Sequence, residues 1–190
     1  MELKNPDIRY LHDLDQVLYN QKWAKENNNF EAYYMYRGIK KENELRYDIT
    51  VIPFKMFGEE FPKTKGHYHP QKYKELYIVL SGRAIYLMQK LNGEKELEDI
   101  YAVEAKEGEC VIIPSYYGHI TINPGGKDLK MANWVYDDFE SKYEHIENKK
   151  GGAYYYTKSG WIKNKNYKNI PKLRFEKPLK ELPKDLSFLK

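Results

Sequence analysis

The chain has one cysteine, Cys110, so it can form neither an intramolecular disulfide nor a cysteine-based zinc cluster. Arginine is scarce, 5 against 27 lysines, a skew that fits either an AT-rich genome or a hot habitat. No apolar run approaches the ~18 residues of a membrane span. The opening Met1-Glu2-Leu3-Lys4-Asn5-Pro6 lacks the apolar stretch of a secretion signal. These absences predict a water-soluble protein of the reducing cytoplasm that neither enters nor lies on a membrane. What is present is enough for a substantial core: 190 residues, 41% hydrophobic, 15% aromatic with 19 tyrosines. That length suits one domain, 1–190, with no need of a covalent staple.

Charge is uneven. Residues 1–148 carry a net −5 and residues 149–190 a net +9. A basic end invites a nucleic-acid interpretation, but Pro171, Pro178 and Pro183 and the apolar Leu173, Phe175, Leu179, Leu182, Leu186 and Phe188 interrupt the lysines. The region about 160–190 is expected to be an extended or short-helical tail lying along the body with its ammonium groups in water. No named nucleic-acid motif occurs, and no nucleic-acid partner is expected.

Around residues 8–26, Ile8, Leu11, Leu14, Val17, Leu18 and Trp23 fall mostly three or four apart, which predicts a helical segment with one buried face. From Phe30 to about Tyr136 the pattern changes to short β-branched and aromatic runs. These are Ala32–Tyr36, Tyr47–Phe57, Leu76–Leu80, Ala84–Leu91, Ile100–Val103, Val111–Ile113, Ile120–Ile122 and Met131–Val135, with glycine-rich turns between several of them. Asn92-Gly93 between two runs is a hairpin signal. Closely spaced strands without intervening helices predict an all-β antiparallel sandwich or barrel, with its core at about 30–136.

Five histidines are present, and two stand as His67-Tyr68-His69, with Glu75 and His119 downstream. On a strand, residues two apart share a face, so both imidazoles of the pair can enter one cavity. Glu75 leads an otherwise apolar strand and needs a partner. Three imidazoles and a carboxylate suit a first-row divalent metal and leave coordination positions open. His12 and His145 lie apart from this pattern.

The spacings His67-x-His69-x5-Glu75-x6-Gly82 and Gly108-x5-Pro114-x4-His119-x3-Asn123 resemble the two cupin motifs, departing at Phe61 and Tyr116, where those motifs usually carry glycine. Within that superfamily, Thr50-Val51-Ile52, Thr64-Lys65-Gly66-His67-Tyr68-His69, Glu75-Leu76-Tyr77, Pro114–His119, Trp134-Val135-Tyr136 and Lys149–Gly152 resemble the archaeal cupin-type phosphoglucose isomerases. Arg9–Leu14 is similar to that family's opening helix. The resemblance spans roughly residues 8–160.

It implies a cupin fold, a jelly-roll-like antiparallel β-barrel with an N-terminal helix and an extended C-terminal tail. It also implies a metal-dependent aldose–ketose isomerase interconverting glucose 6-phosphate and fructose 6-phosphate, in glycolysis or gluconeogenesis. By the same resemblance His67, His69, Glu75 and His119 are the metal ligands. The metal is a divalent ion, Fe²⁺ foremost, with Mn²⁺, Ni²⁺ or Zn²⁺ as alternatives. Thr50, Thr64 and the backbone at Gly66 receive the substrate phosphate and Tyr136 closes on it. Glu75 and Tyr77 are the catalytic pair, and the chain is a homodimer. Lys65 is open between a phosphate partner and a solvated lysine. The family also carries a histidine soon after the tyrosine matching Tyr136; here that stretch reads Asp137–Lys142, so either His145 substitutes or the contact is missing.

Isomerisation moves hydrogen between C1 and C2 of the open sugar. Glu75 either shuttles a proton through a cis-enediol(ate) or serves only as a ligand while a hydride shifts. A dioxygenase, another sugar-phosphate isomerase or epimerase, and a non-catalytic sugar-phosphate-binding cupin remain as alternatives, because the fold alone hosts many chemistries.

Overall fold

The computed structural model describes residues 3, 5–69 and 72–190. Thirteen strands occur among them. They are β1 (Asp7–Tyr10), β2 (Glu31–Glu42), β3 (Leu45–Ile52), β4 (His67–Tyr68), β5 (Glu75–Ser81), β6 (Arg83–Leu91), β7 (Leu97–Lys106), β8 (Cys110–Ile113), β9 (Tyr117–Ile122), β10 (Leu129–Tyr136), β11 (Tyr154–Thr157), β12 (Gly160–Lys163) and β13 (Arg174–Glu176). One sheet runs β1-β2-β3-β10-β5-β8, the other β13-β7-β6-β9-β4, and β11-β12 form a separate hairpin. All pairings are antiparallel except β13 on β7. The side chains between the sheets, among them Ile52, Tyr86, Leu87, Met88, Ile113 and Ile120, are buried. This is the cupin barrel that the motif spacing implies.

Each of the eight expected runs lies on a strand, although Tyr47–Phe57 overshoots, since β3 ends at Ile52. Asn92-Gly93 does sit between paired strands, but the connection is five residues long. Asn92 Oδ1 accepts from the amides of Glu94 and Glu96, and the positive φ falls on Lys95 rather than Gly93. The tight two-residue turn is elsewhere: Glu42 pairs with Leu45, and Asn43 and Glu44 between them both take positive φ, the backbone a type I′ turn requires.

The expected helix over 8–26 is broken up. Its first residues form β1, with Ile8 opposite Tyr34; two single 3₁₀ turns follow, and α1 covers only Gln21–Glu26. Pairing to the edge of β2 satisfies the backbone of residues 7–10 better than a solvent-exposed first helical turn would. The Asn20 side chain accepts from the Trp23 amide at 2.9 Å and sets where α1 starts. The apolar residues are nevertheless buried: Leu11, Leu14, Val17 and Leu18 are at most 1% exposed.

The C-terminal tail is extended. It adds β13 to the barrel edge, bridges Leu179 to Cys110, and packs Leu186, Phe188 and Leu189 against Leu45, Leu76 and Trp134 on the outer face of the larger sheet. Its apolar residues therefore cover hydrophobic surface that the barrel cannot bury internally. Among the described residues no helix is long and apolar enough to cross a membrane.

Candidate metal centre

His67 on β4 stands directly opposite His119 on β9, and His69 follows two residues later on the same face. Glu75 reaches them from β5 in the opposing sheet. Potential ligand atoms of these four residues all lie within 4.8 Å of one another. Glu75 Oε2 is 3.2 Å from His69 Nε2 and 3.6 Å from His119 Nε2. The sequence separations of six and fifty residues collapse because the two sheets close face to face.

Glu75, His69 and His119 are buried, and His67 Nε2, His69 Nε2, Glu75 Oε2 and His119 Nδ1 have no hydrogen-bond partner. Buried polar atoms are normally satisfied, so His67 Nε2, His69 Nε2 and Glu75 Oε2, unpaired where the four residues converge, suit a central cation. Burial first, then the neighbouring imidazoles, pushes the His67 and His119 pKa values well below 6.5, with the Arg37 charge adding to the shift at His67. Both rings are thus neutral near pH 7, with the lone pairs a metal needs. The site therefore fits a divalent ion.

Outer contacts fix these groups. His69 Nδ1 lies 3.4 Å from the Tyr73 carbonyl. Glu75 Oε1 accepts from Asn133 Nδ2 at 2.7 Å, so Oε2 faces the histidines. The Tyr77 hydroxyl is 3.1 Å from His119 Nε2, and burial followed by the Glu75 charge drives its pKa well above 10, which keeps it protonated. Such outer partners orient ligands and set their basicity.

The four groups open into a cavity of about 410 Å³. Strand alternation builds its walls: Tyr33, Met35 and Arg37 from β2, Arg46, Asp48 and Thr50 from β3, and Met131, Asn133 and Val135 from β10. Phe139, Glu140, Ser141 and Tyr143 cover it. Backbone bonds between Tyr68 and Lys142, at 2.8 and 3.1 Å, fasten that covering segment to β4.

The structure brings Thr50, Thr64, Gly66 and Tyr77 to this cavity, but not Tyr136. Residues 131, 133 and 135 of β10 face inward, so alternation turns Tyr136 outward, where it stacks on Tyr73 with ring centroids 4.2 Å apart. Against the expectation that Tyr136 closes on the substrate, it stands outside the cavity, whose tyrosines are Tyr33, Tyr77 and Tyr143. Lys65 is engaged elsewhere, its ammonium 2.6 Å from Glu147 Oε1. His145 faces Tyr68 and Tyr167 and not the cavity, so it does not replace the family's extra histidine; Phe139 lies against His69 instead, at 4.6 Å between centroids. Gly66 has a structural reason of its own. Its φ is +83°, and an added Cβ would sit 2.4 Å from Ile120 Cγ1.

Asn133, Arg37, Arg46 and Asp48 also line the cavity and belong to none of the sequence motifs. A signal existed for two of them. Asn133 interrupts Met131–Val135, and Asp48 stands between Tyr47 and Ile49; a polar side chain inside an apolar strand needs a buried partner.

Comparison with known proteins agrees with the motif resemblance. The family model described as Glucose-6-phosphate isomerase (GPI) matches residues 8–172. The glucose-6-phosphate isomerase of Thermococcus gammatolerans is 29% identical over 148 residues, 75% of each chain. That of Thermococcus litoralis is 32% identical over 133 residues, 67% of each chain. That of Pyrococcus abyssi is 31% identical over 113 residues, 59% of this chain and 57% of that one. With a match over most of its length and these donors gathered in its barrel, the chain belongs to the glucose-6-phosphate isomerase family.

Proposed function

We propose that the protein is a metal-dependent aldose–ketose isomerase interconverting glucose 6-phosphate and fructose 6-phosphate. The observation that carries this reading is the convergence of three imidazoles and one carboxylate, with ligand atoms within 4.8 Å of one another, at the wall of a cavity of about 410 Å³ in a chain of this family. That volume lies in the range of small-molecule sites, and the polar lining (Arg37, Arg46, Thr50, Thr64 and Tyr77) suits a charged, hydroxylated ligand better than the apolar substrates of many dioxygenases.

His67, His69, Glu75 and His119 would hold the divalent ion, Fe²⁺ foremost with Mn²⁺, Ni²⁺ or Zn²⁺ as alternatives; when bound it would polarise the sugar carbonyl and acidify the neighbouring C–H. Glu75 is the candidate base. Its Oε1 is held by Asn133, and its other oxygen is free of hydrogen bonds, so it can take the proton from one carbon and return it to the next through a cis-enediol(ate). The Tyr77 hydroxyl stays protonated and can donate to a sugar oxygen at the same wall. Thr50 and Thr64 offer hydroxyls to the phosphate, although Thr64 Oγ1 already accepts from the Thr121 amide at 3.0 Å. Phe139 excludes water beside the imidazoles. A homodimer in the cytoplasm is part of this reading.

A coupled assay on fructose 6-phosphate, with protein stripped by EDTA and reloaded with Fe²⁺, Mn²⁺, Ni²⁺ or Zn²⁺, tests it. Turnover that vanishes on stripping and returns on reloading is expected. No turnover with any of the four ions would overturn the assignment.

A further inference from the structure

Arg37 and Arg46 are the cationic side chains among the described residues lining the cavity apart from its histidines, and they differ in how fully they are committed. The Arg46 Nε lies 3.0 Å from both oxygens of Asp48, and its Nη1 donates to the Asp137 carbonyl at 3.2 Å. Asp48 is 3% exposed and also accepts from the Gly38 amide at 2.7 Å. The Arg46 and Asp48 charges thus cancel within one pair, in which Asp48 is buried and Arg46 partly so. Arg37 is only loosely held: 3.5 Å from Asp48 at Nη1, 3.3 Å from the exposed Asp7 at Nε, and 3.3 Å from the Met35 sulfur at Nη2. A thioether is a poor acceptor for a guanidinium N–H, which leaves Nη2 as a strong donor with a weak partner.

Alternation from Tyr33 and Met35 turns Arg37 to the cavity face of β2, where its side chain stays 42% exposed. Between Tyr36 and Lys40 the β2–β3 register slips, so that residues 37–39 oppose Asp48 alone. Gly38 takes φ +63° there, and Asp48 clasps the bulge through the Gly38 amide. Met35, whose sulfur Nη2 touches, pairs directly with Thr50, which brings the guanidinium to the Thr50 end of the cavity.

We propose that Arg37 is a specificity-determining residue that binds the phosphate monoester of the substrate, with the Arg46–Asp48 pair as its positioning brace. This rests on the sugar-phosphate reading above and deepens it. A planar guanidinium matches a phosphate bidentately, and it supplies the full positive charge that threonine hydroxyls and an amide lack.

The test is isothermal titration of the metal-loaded protein with glucitol 6-phosphate, which cannot isomerise, and with glucitol, together with KM for fructose 6-phosphate. Arg37→Gln should weaken glucitol 6-phosphate binding by at least ~10-fold, the scale of a charge-assisted bond, raise KM similarly, and leave glucitol binding and kcat nearly unchanged. Arg37→Lys, which keeps the charge without the fork, should fall between and guards against a folding defect in Arg37→Gln. Equal binding by wild type and Arg37→Gln, or equal losses for both polyols, would overturn the subsite. Wild-type binding of glucitol 6-phosphate that Arg37→Gln loses, without turnover of fructose 6-phosphate, would leave the subsite standing and remove the isomerase. Turnover with an unchanged KM in Arg37→Gln would do the reverse.

Discussion

Asn133 holds one oxygen of Glu75 at 2.7 Å and leaves the other facing His69 and His119. The two residues come from neighbouring strands of the larger sheet, since Asn133 on β10 pairs with Tyr77 on β5, two residues from Glu75. The amide therefore sets both the rotamer of the carboxylate and which oxygen is available for chemistry.

Asn133→Ala should lower metal affinity by about 10–100-fold, the usual effect of removing a second partner of a ligand, and should lower kcat at saturating metal as well. Competition against a chelator of known affinity measures the first and steady-state kinetics the second. Unchanged affinity would mean that Glu75 keeps its orientation without the amide.

The pH response follows from the buried imidazoles. His67 and His119 have native pKa values depressed below 6.5, chiefly by desolvation. The unfolded chain, with ordinary histidines, therefore binds more protons than the native one once pH drops to about 6.5, and stability falls as pH falls below that point. Each histidine contributes a slope of up to ~1.4 kcal/mol per pH unit. Urea unfolding of metal-stripped protein between pH 7.5 and 5.5 should show the loss, and His67→Gln should reduce the slope. A flat profile through pH 6 would mean that these rings can protonate in place.

A buried ion pair anchors the N-terminal segment. Lys63 lies 2.7 Å from Glu60 with the side chains 3% and 1% exposed; Lys63 also donates to the Val17 carbonyl at 2.8 Å, and Glu60 accepts from the Tyr19 amide at 2.8 Å. Lys63→Met strands the Glu60 charge, whose burial already raises its pKa, and should cost about 3–5 kcal/mol. For a chain of this size that lowers Tm by roughly 6–20 °C. Replacing both residues, Glu60→Leu with Lys63→Met, should recover much of the loss, as differential scanning calorimetry would reveal.

How much of this could be read from the residues depended on the kind of interaction. Period-two alternation is local, so every central strand was legible, as was the pairing of His67 with His69. The site's other walls were not, because which face of β2 and β3 turns to the cavity, and so where Arg37, Arg46 and Asp48 stand, is set by how the sheets pack and not by any local pattern. Tyr136 is a similar case: its type fits a binding role, and only its parity relative to Asn133 places it outside the cavity. The N-terminal apolar spacing correctly marked buried residues and wrongly suggested one helix, since single 3₁₀ turns bury Leu11, Leu14 and Val17 at the same intervals. Tyr116 stands where the cupin motif has glycine and keeps a glycine-like φ of +64°, so the turn survived the replacement of the residue that usually permits it.

The sharpest test of the mechanism is Glu75→Gln. The substitution preserves size and one carbonyl oxygen but removes the ability to accept a proton at neutral pH. Its single oxygen can serve either Asn133 or the metal, so metal content is measured beside activity. If Glu75 is the base, the variant should bind metal yet lose at least ~10² in kcat, the ordinary scale for removing an acid–base group. If Glu75 acts only as a ligand, activity should track metal occupancy and return with excess ion. Turnover in D₂O separates the two routes independently. Proton transfer through an enediol(ate) places solvent deuterium at the carbon that receives hydrogen, whereas a hydride shift carries the original hydrogen across. Because Phe139 and the covering segment shield the imidazoles, exchange should be partial at neutral pH and should increase in Phe139→Ala, where water gains access to the carboxylate. Full recovery of Glu75→Gln by added metal, with no solvent label in wild type or Phe139→Ala, would assign the hydrogen movement to hydride transfer and reduce Glu75 to a ligand.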